Sequence, residues 1–125
     1  MSEYVAVFYR FNIALEIISK SDILFFTSLL EATSTVIFEA IGSGTPVLCH
    51  NACGFGNIVN DECGFKIPMI NPNISIELFS KKIDFIFENP KILQAIKVGC
   101  IKVANENSWE SKAKNIFDIY NECIR

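Results

Sequence analysis

The chain has 125 residues, 50% of them hydrophobic and 20% charged, which fits one folded domain and excludes a disordered segment. The formal net charge of -3 and the scattered lysines argue against nucleic acid as a partner. No run approaches the roughly eighteen apolar residues of a membrane span, and the five cysteines fit reduced thiols, so we expect a cytoplasmic protein without a transmembrane segment.

The chain opens with the patterns of a strand, a helix and a second strand. Residues Tyr4–Tyr9 are rich in β-branched and aromatic side chains and predict a strand, after which Asn12 is a candidate helix cap. The helical period that follows runs through Ile13, Ile17 and Ile18. Ile23–Phe26 is apolar without alternation, which is typical of a strand covered on both faces in a parallel sheet. A buried helix is the alternative for that run, which is short for a helix.

A second helix and a third strand continue the alternation. The helix is predicted over residues 34–43 and ends at Gly44, since glycine favours left-handed backbone at a helix end. Pro46 then opens a short apolar strand that ends at Cys49. Because alternating strands and helices build a parallel sheet with helices on its faces, we predict a doubly wound α/β fold.

The second half of the chain is predicted to be mostly helical. Gly64–Pro68 predicts a small edge strand, and three helices follow, the first ending at Asn89 before a proline and the third capped by Ser108. Their apolar stripes, with Trp109 expected in the core, are Ile76, Phe79, Ile83 and Ile86; Ile92, Ile96, Cys100 and Val103; and Trp109, Ala113, Ile116, Tyr120 and Cys123. The predicted fold is α/β: a partial Rossmann-like parallel sheet with flanking helices and a helical C-terminal end, in a single domain of residues 1–125.

The loop after the second strand carries the residues that suggest chemistry. In an open α/β sheet, ligands bind beyond the carboxyl ends of the strands and face helix N-termini, whose free N–H groups attract phosphate. The residues at this helix start are small or hydroxylated: Ala32, Thr33, Ser34 and Thr35. Glu31 precedes them, and Glu39 lies roughly 6 to 9 Å down the helix, about the distance from a diphosphate to a ribose. The spacing suits a sugar, a diphosphate and a ribose laid along one helix end.

An ordered series of short motifs extends over almost the whole chain. The series comprises Ser21-Asp22 before an apolar strand, Ser28, the Glu31 and Glu39 pair, Glu39-Ala40, Gly44–Val47, Gly54, Cys63–Phe65 and Ser108–Glu110. On these motifs the chain resembles the C-terminal, donor-binding part of retaining GT-B glycosyltransferases of the group 1 family. The resemblance implies half of a GT-B C-terminal domain, a nucleotide-diphosphate sugar as donor substrate, and no metal or other cofactor.

The resemblance also implies roles for the site residues. Glu31 would be the catalytic residue and contact hydroxyls of the transferred sugar, while Glu39 would bind the ribose. The backbone of Ala32, Thr33, Ser34 and Thr35 would meet the diphosphate. The full enzyme would transfer the sugar to an acceptor with retention of configuration, in carbohydrate biosynthesis. This chain departs from the family in having Ala32–Ser34 where glycine-phenylalanine-glycine is usual.

A shortage of positive charge limits what the chain is expected to do alone. Family members carry an arginine and a lysine that neutralise the diphosphate, whereas this sequence has neither residue type between Asp22 and Gly64. Helix-end amides supply only part of the charge stabilisation that a leaving diphosphate requires. We therefore expect a fragment that is inactive in isolation, whose partner is an acceptor-binding domain on a separate or missing chain.

Three other interpretations compete with this one. In the first, the domain is a non-enzymatic flavodoxin-like regulatory or assembly module. The two glutamates are then surface residues, and residues 33–35 are ordinary helix-cap residues. A metal site is not predicted, because the spacing of Cys49, His50, Cys53 and Cys63 matches no common zinc pattern. His50 is a poor candidate base, because no carboxylate is placed to orient its imidazole.

Overall fold

The computed structural model describes residues 3–32 and 34–124, with side chains described from Asn12 onward. The elements in chain order are α1 (Glu3–Lys20), β1 (Leu24–Phe26), α2 (Thr35–Gly42), β2 (Val47–His50), α3 (Phe55–Ile58), β3 (Gly64–Ile67), α4 (Pro72–Glu88), α5 (Pro90–Glu106) and α6 (Trp109–Ile124). The strands form one parallel sheet in the order β1-β2-β3. The predicted α/β class, with flanking helices and a helical C-terminal end, is confirmed.

The strand predicted over Tyr4–Tyr9 is wrong, because these residues lie in α1. Asn12 is an interior residue of that helix and not its cap. No glycine or proline separates the aromatic run from the helical period after it, so the helix continues through both. β-Branched and aromatic residues cost only a few tenths of a kcal/mol each in a helix, which one continuous hydrogen-bonded segment overrides. The helix expected after Asn12 is confirmed as the second half of α1.

The two faces of the sheet are covered unequally. Alternate side chains, among them Val47 and Cys49, point into a core with α2 and α5 that we call the first face. Leu48 and Ile67 point the other way, to the second face, where Phe79 of α4 packs on them. β2 is buried along its whole length because it is the central strand. β1 was predicted to be covered on both faces, but it is an edge strand and Phe25 is 48% exposed.

The connection from α2 to β2 is fixed by local backbone geometry. Gly44 has a positive φ of 76° and ends the helix as predicted. The next residue, Thr45, is buried and donates from its hydroxyl to the carbonyl of Ile18 at 2.8 Å. This hydrogen bond ties the end of α1 to the start of β2. The strand expected from Pro46 is confirmed as β2.

The predicted end of α4 at Asn89 and the predicted Ser108 cap of α6 are confirmed, and the structure adds a cap at the start of α4. Asn71 caps α4, accepting from the Ile74 N–H at 3.0 Å, and the helix stops before Asn89. The Ser108 hydroxyl accepts from the Ser111 N–H at 3.2 Å at the start of α6. No described helix is long and apolar enough to cross a membrane.

The prediction that Trp109 is a core residue is wrong. Trp109 is 89% exposed, and α6 contains no buried residue. In contrast, the α5 stripe is largely buried through Ile96, Cys100 and Val103. Helical periodicity shows that a helix has an apolar face, but it does not show that another surface covers that face. In the part of the chain that the structure describes, nothing buries the apolar face of α6.

Candidate functional site

The candidate site is the loop between β1 and α2, at the carboxyl end of the sheet. β1 ends at Phe26, and α2 begins at Thr35 after Ser34, its N-cap residue in extended conformation. The Ser34 side chain makes no capping hydrogen bond, and the first turn contains no acidic residue. The first N–H groups of an α-helix have no partner within the helix. This helix start therefore presents N–H groups that an anion can accept from.

Glu31 lies in the loop ahead of this helix start. Its carboxylate is exposed and accepts a hydrogen bond from the Ser28 hydroxyl at 3.2 Å. Ala32 is exposed beside it, and Thr33 lies outside the described residues. Ser28 and Glu31, both residues of the motif series, are thus brought together, with Glu31 open to solvent.

Glu39 lies in the second turn of α2 and is half-buried. It is four residues after Thr35, which corresponds to about 6 Å along the helix axis. Its side chain lines a cleft of about 720 Å³ between α2, α5 and the start of α6, together with Thr35, Phe38 and Lys112. The structure places Glu31 before the first turn of α2 and Glu39 in the second turn. The binding roles of these residues remain predictions.

The charged side chains of residues 22–64, which include this loop, are all acidic. The sequence contains no lysine or arginine from Asp22 to Gly64. The first cation beyond that range is Lys66 on β3, and its Nζ donates to the Gly56 carbonyl of α3 at 2.7 Å. Lys66 is therefore engaged at α3. A diphosphate in the loop would meet backbone amides and hydroxyls, with two carboxylates nearby and Lys112 of α6 in the cleft that Glu39 lines.

The cysteine and histidine residues near β2 do not form a joint site. Cys49 belongs to the first-face core, where burial raises the pKa of its thiol to about 11. His50 points to the second face, where its Nε2 lies 3.0 Å from the Ser75 Oγ and its ring packs edge-on against Phe79. Adjacent strand residues point to opposite faces, which separates these two side chains. Among the described residues, no three His, Cys, Asp or Glu side chains come together as metal ligands.

Sequence analysis missed a contact between the loops that follow β1 and β2. Cys53 has a positive φ of 51°, and its Sγ lies 3.8 Å from the Leu29 carbonyl in the loop that carries Glu31. Neither residue carries a motif that predicts this pairing. The available signal was topological, because neighbouring parallel strands end at the same edge of a sheet and bring their following loops together.

The parallel sheet and the uncapped helix between two carboxylates define a ligand-binding α/β domain of the Rossmann-like class. The family model described as Glycosyl transferases group 1 matches residues 9–99, and the chain belongs to this family. Domains of this family form the C-terminal part of GT-B enzymes, in which they bind the nucleotide-sugar donor. Family membership favours a transferase domain over the regulatory module that the sequence left open.

A curated relative supports the same assignment. Protein CapJ of Staphylococcus aureus is 32% identical over 98 residues, a match that covers 74% of this chain and 25% of CapJ. The chain therefore spans about a quarter of the length of that relative. Helix α6 lies beyond the residues that the family model matches.

Proposed function

We propose that this chain binds a nucleotide-diphosphate sugar with its diphosphate at the N-terminus of α2. The observation that supports the proposal most is the uncapped first turn at Ser34, with Glu31 on the loop before it and Glu39 one turn after it. The helix contributes the equivalent of about half a positive charge at this end, and anions near it gain typically 0.3–1 kcal/mol. The hydroxyl of Thr35 is an additional donor.

The two carboxylates would recognise the uncharged parts of the donor. Glu39 would accept hydrogen bonds from the ribose hydroxyls, and exposed Glu31 would accept them from the transferred sugar. Hydrogen bonds to charged groups contribute roughly 1.5–3 kcal/mol each. Residues 22–64 offer the phosphates no lysine or arginine, so within this segment the hydroxyl contacts would supply most of the affinity.

We further propose that transfer occurs with retention of configuration and requires residues beyond those of this chain. A leaving nucleoside diphosphate gains negative charge as the sugar departs, and that charge must be stabilised in place. The α2 N-terminus alone is a weak countercharge, and Glu31 adds a repulsive one. The isolated chain is then a donor-binding fragment without transfer activity, and its partner is an acceptor-binding domain that also supplies cations.

The test is to titrate the 125-residue chain with a panel of nucleoside diphosphates and to measure the midpoint temperature of thermal unfolding at each concentration. One member of the panel should raise the midpoint temperature, because ligand at a hundredfold excess over its Kd stabilises the fold by about 2.7 kcal/mol. Glu39→Ala should weaken that ligand roughly 10- to 100-fold, since ribose contacts are lost. Glu88→Ala removes an exposed glutamate at the end of α4 and is the matched control.

Two further measurements test which groups bind the nucleotide. The 2′-deoxy form of the ligand should bind more weakly to the natural chain but no more weakly to Glu39→Ala, because both changes remove the same contact. Raising the salt concentration should weaken binding only modestly, since residues 22–64 supply no lysine or arginine to the phosphates. No response to any nucleotide, or equal effects of Glu39→Ala and Glu88→Ala, would refute the proposal.

A further inference from the structure

A lysine of helix α6 lies in the cleft that Glu39 lines. This cleft, which we call the α2–α6 cleft, has a volume of about 720 Å³ and is lined mainly by α2, the end of α5 and the first turn of α6. Small-molecule sites usually have volumes of roughly 300–1,000 Å³, and this cleft is within that range. Among the described residues that line it, the charged ones are Glu39 and Lys112. The cleft therefore holds one carboxylate and one ammonium group beside the first turns of α2.

The packing of α5 brings the start of α6 close to α2. Helix α5 packs against α2 in the first-face core, where Ile37 and Val103 are buried. At the end of α5, the Asn107 side chain donates to the Val103 carbonyl at 2.9 Å, and Ser108 then caps α6. Lys112 is the fourth residue of α6 and lies on the turn that follows this cap. The start of α6 is thus tied to a helix that the core holds against α2.

The ammonium group of Lys112 forms no salt bridge with the described residues. In particular, no ion pair joins it to Glu39, although both side chains line the same cleft. Two opposite charges held apart in one cleft suit a ligand with an anionic part and a part that carries hydroxyl groups. Lysine suits the anionic part, because its ammonium group is a point charge on a flexible stem and is a common ligand of phosphate.

We propose that Lys112 binds the diphosphate of the donor from the α6 side of the α2–α6 cleft. This inference rests on the proposed function, in which the diphosphate lies at the α2 N-terminus and Glu39 binds the ribose. Thr35 and Glu39 line the cleft and are about 6 Å apart along the helix axis, so a ligand that spans them enters the cleft that Lys112 lines.

The charge of Lys112 complements what the site loop lacks. Residues 22–64 contain no lysine or arginine, and Lys112 comes from a helix beyond the residues 9–99 that the family model matches. One exposed ammonium group offsets only part of the charge of a diphosphate, and it is screened by salt. Lys112 therefore contributes to donor binding, while sugar transfer still requires further positive charge.

The test measures by calorimetry how Lys112→Gln and Lys112→Arg bind nucleoside diphosphates in the full 125-residue chain. The matched control is Lys114→Gln, which removes an exposed lysine of the same helix that is not among the described residues lining the cleft. Lys112→Gln should weaken the diphosphate that binds most tightly about fivefold, as expected for the loss of an exposed charged contact. Lys112→Arg should keep most of the affinity, and Lys114→Gln should bind as the natural chain does.

Two readouts separate a phosphate contact from a structural role of Lys112. The salt dependence of diphosphate binding should be smaller in Lys112→Gln than in the natural chain. The effects of Lys112→Gln and Glu39→Ala should add, because the two residues contact different parts of the ligand.

The outcomes distinguish this inference from the proposed function. Diphosphate binding that depends on Glu39 but is unchanged in Lys112→Gln, or is weakened equally in Lys114→Gln, would overturn this inference alone. A loss in Lys112→Gln that disappears in the Glu39→Ala background would also overturn it, because the lysine would then act through Glu39. No response to any nucleotide would refute the proposed function and this inference together.

Discussion

Whether replacing Gly99 by alanine stabilises or destabilises the fold depends on the tertiary structure around this residue. Gly99 lies inside α5, and alanine in a helix interior is normally about 1 kcal/mol more favourable than glycine. However, a Cβ at this position would lie closer than 3.0 Å to the backbone carbonyl of Glu62. Helix α5 crosses the turn of residues 61–63 at this point. The helix propensity gain and the steric cost therefore oppose each other.

The turn beneath Gly99 cannot easily move away. The Asn60 side chain accepts from the Glu62 N–H at 3.0 Å, and the Asn60 carbonyl accepts from the Cys63 N–H at 3.1 Å. A shift of α5 instead would disturb the contact of Cys100 with the Cys63 carbonyl in the core. Overpacking against fixed atoms typically costs 1–3 kcal/mol, and we expect a cost near the top of this range because the close neighbour is a backbone atom. The gain of about 1 kcal/mol in helix propensity offsets part of that cost. We expect Gly99→Ala to lower the free energy of unfolding by about 2 kcal/mol.

The assay is urea unfolding followed by circular dichroism. A loss of about 2 kcal/mol should lower the midpoint by roughly 1 M urea, given the slope expected for a domain of this size. The matched control is Gly42→Ala in α2, where an added Cβ meets no atom within 4 Å. That variant should be stabilised by up to about 1 kcal/mol. If Gly99→Ala is as stable as Gly42→Ala, the close approach of α5 to this turn is wrong.

Three shorter predictions concern buried polar groups and thiols. Thr45→Val should cost roughly 1–3 kcal/mol in urea unfolding, because the Ile18 carbonyl loses its hydroxyl donor; unchanged stability would contradict this. Iodoacetamide should alkylate the exposed Cys53 and Cys123 of the folded chain, with the three buried thiols protected, so mass spectrometry should find two adducts and not five. Burial raises the pKa of Cys100 from 9.0 to about 12, so the unfolded chain ionises first. The contribution of this group to the free energy of unfolding is fully present below pH 9. Between pH 9 and 12 the free energy of unfolding should fall with rising pH, by up to about 1.4 kcal/mol per pH unit. In Cys100→Ala this pH dependence should be smaller.

Local signals in the sequence were sufficient to predict most of the helices and strands and the position of the site loop. Gly44 and the Asn89-Pro90 step marked helix ends correctly, because glycine and proline restrict the backbone directly. The start of α2 near Ser34 followed from its hydroxylated residues and the strand before it. These features depend on a few neighbouring residues. They can therefore be predicted without knowing which distant parts of the chain pack nearby.

The features that were missed depend on distant parts of the chain. Trp109 has the periodicity of a core residue, but its exposure is decided by whether another surface reaches it. The run Tyr4–Tyr9 has strand composition, yet continuity with the following helix decides its conformation. The approach of Gly99 to Glu62 joins residues far apart in sequence, so no local pattern predicts that alanine is excluded there.

The electrostatics of the site loop separate donor binding from sugar transfer. Binding can be supported by neutral amides at the α2 N-terminus and by carboxylates that accept from hydroxyls, and all of these groups are present in the chain. Transfer makes a different demand, because negative charge grows on the diphosphate while Glu31 stays nearby as a like charge. A carboxylate beside the sugar helps only if cations balance the phosphates. On the proposed binding mode, the residues of this loop would hold a donor, and stabilisation of the leaving diphosphate would require positive charge from outside residues 22–64.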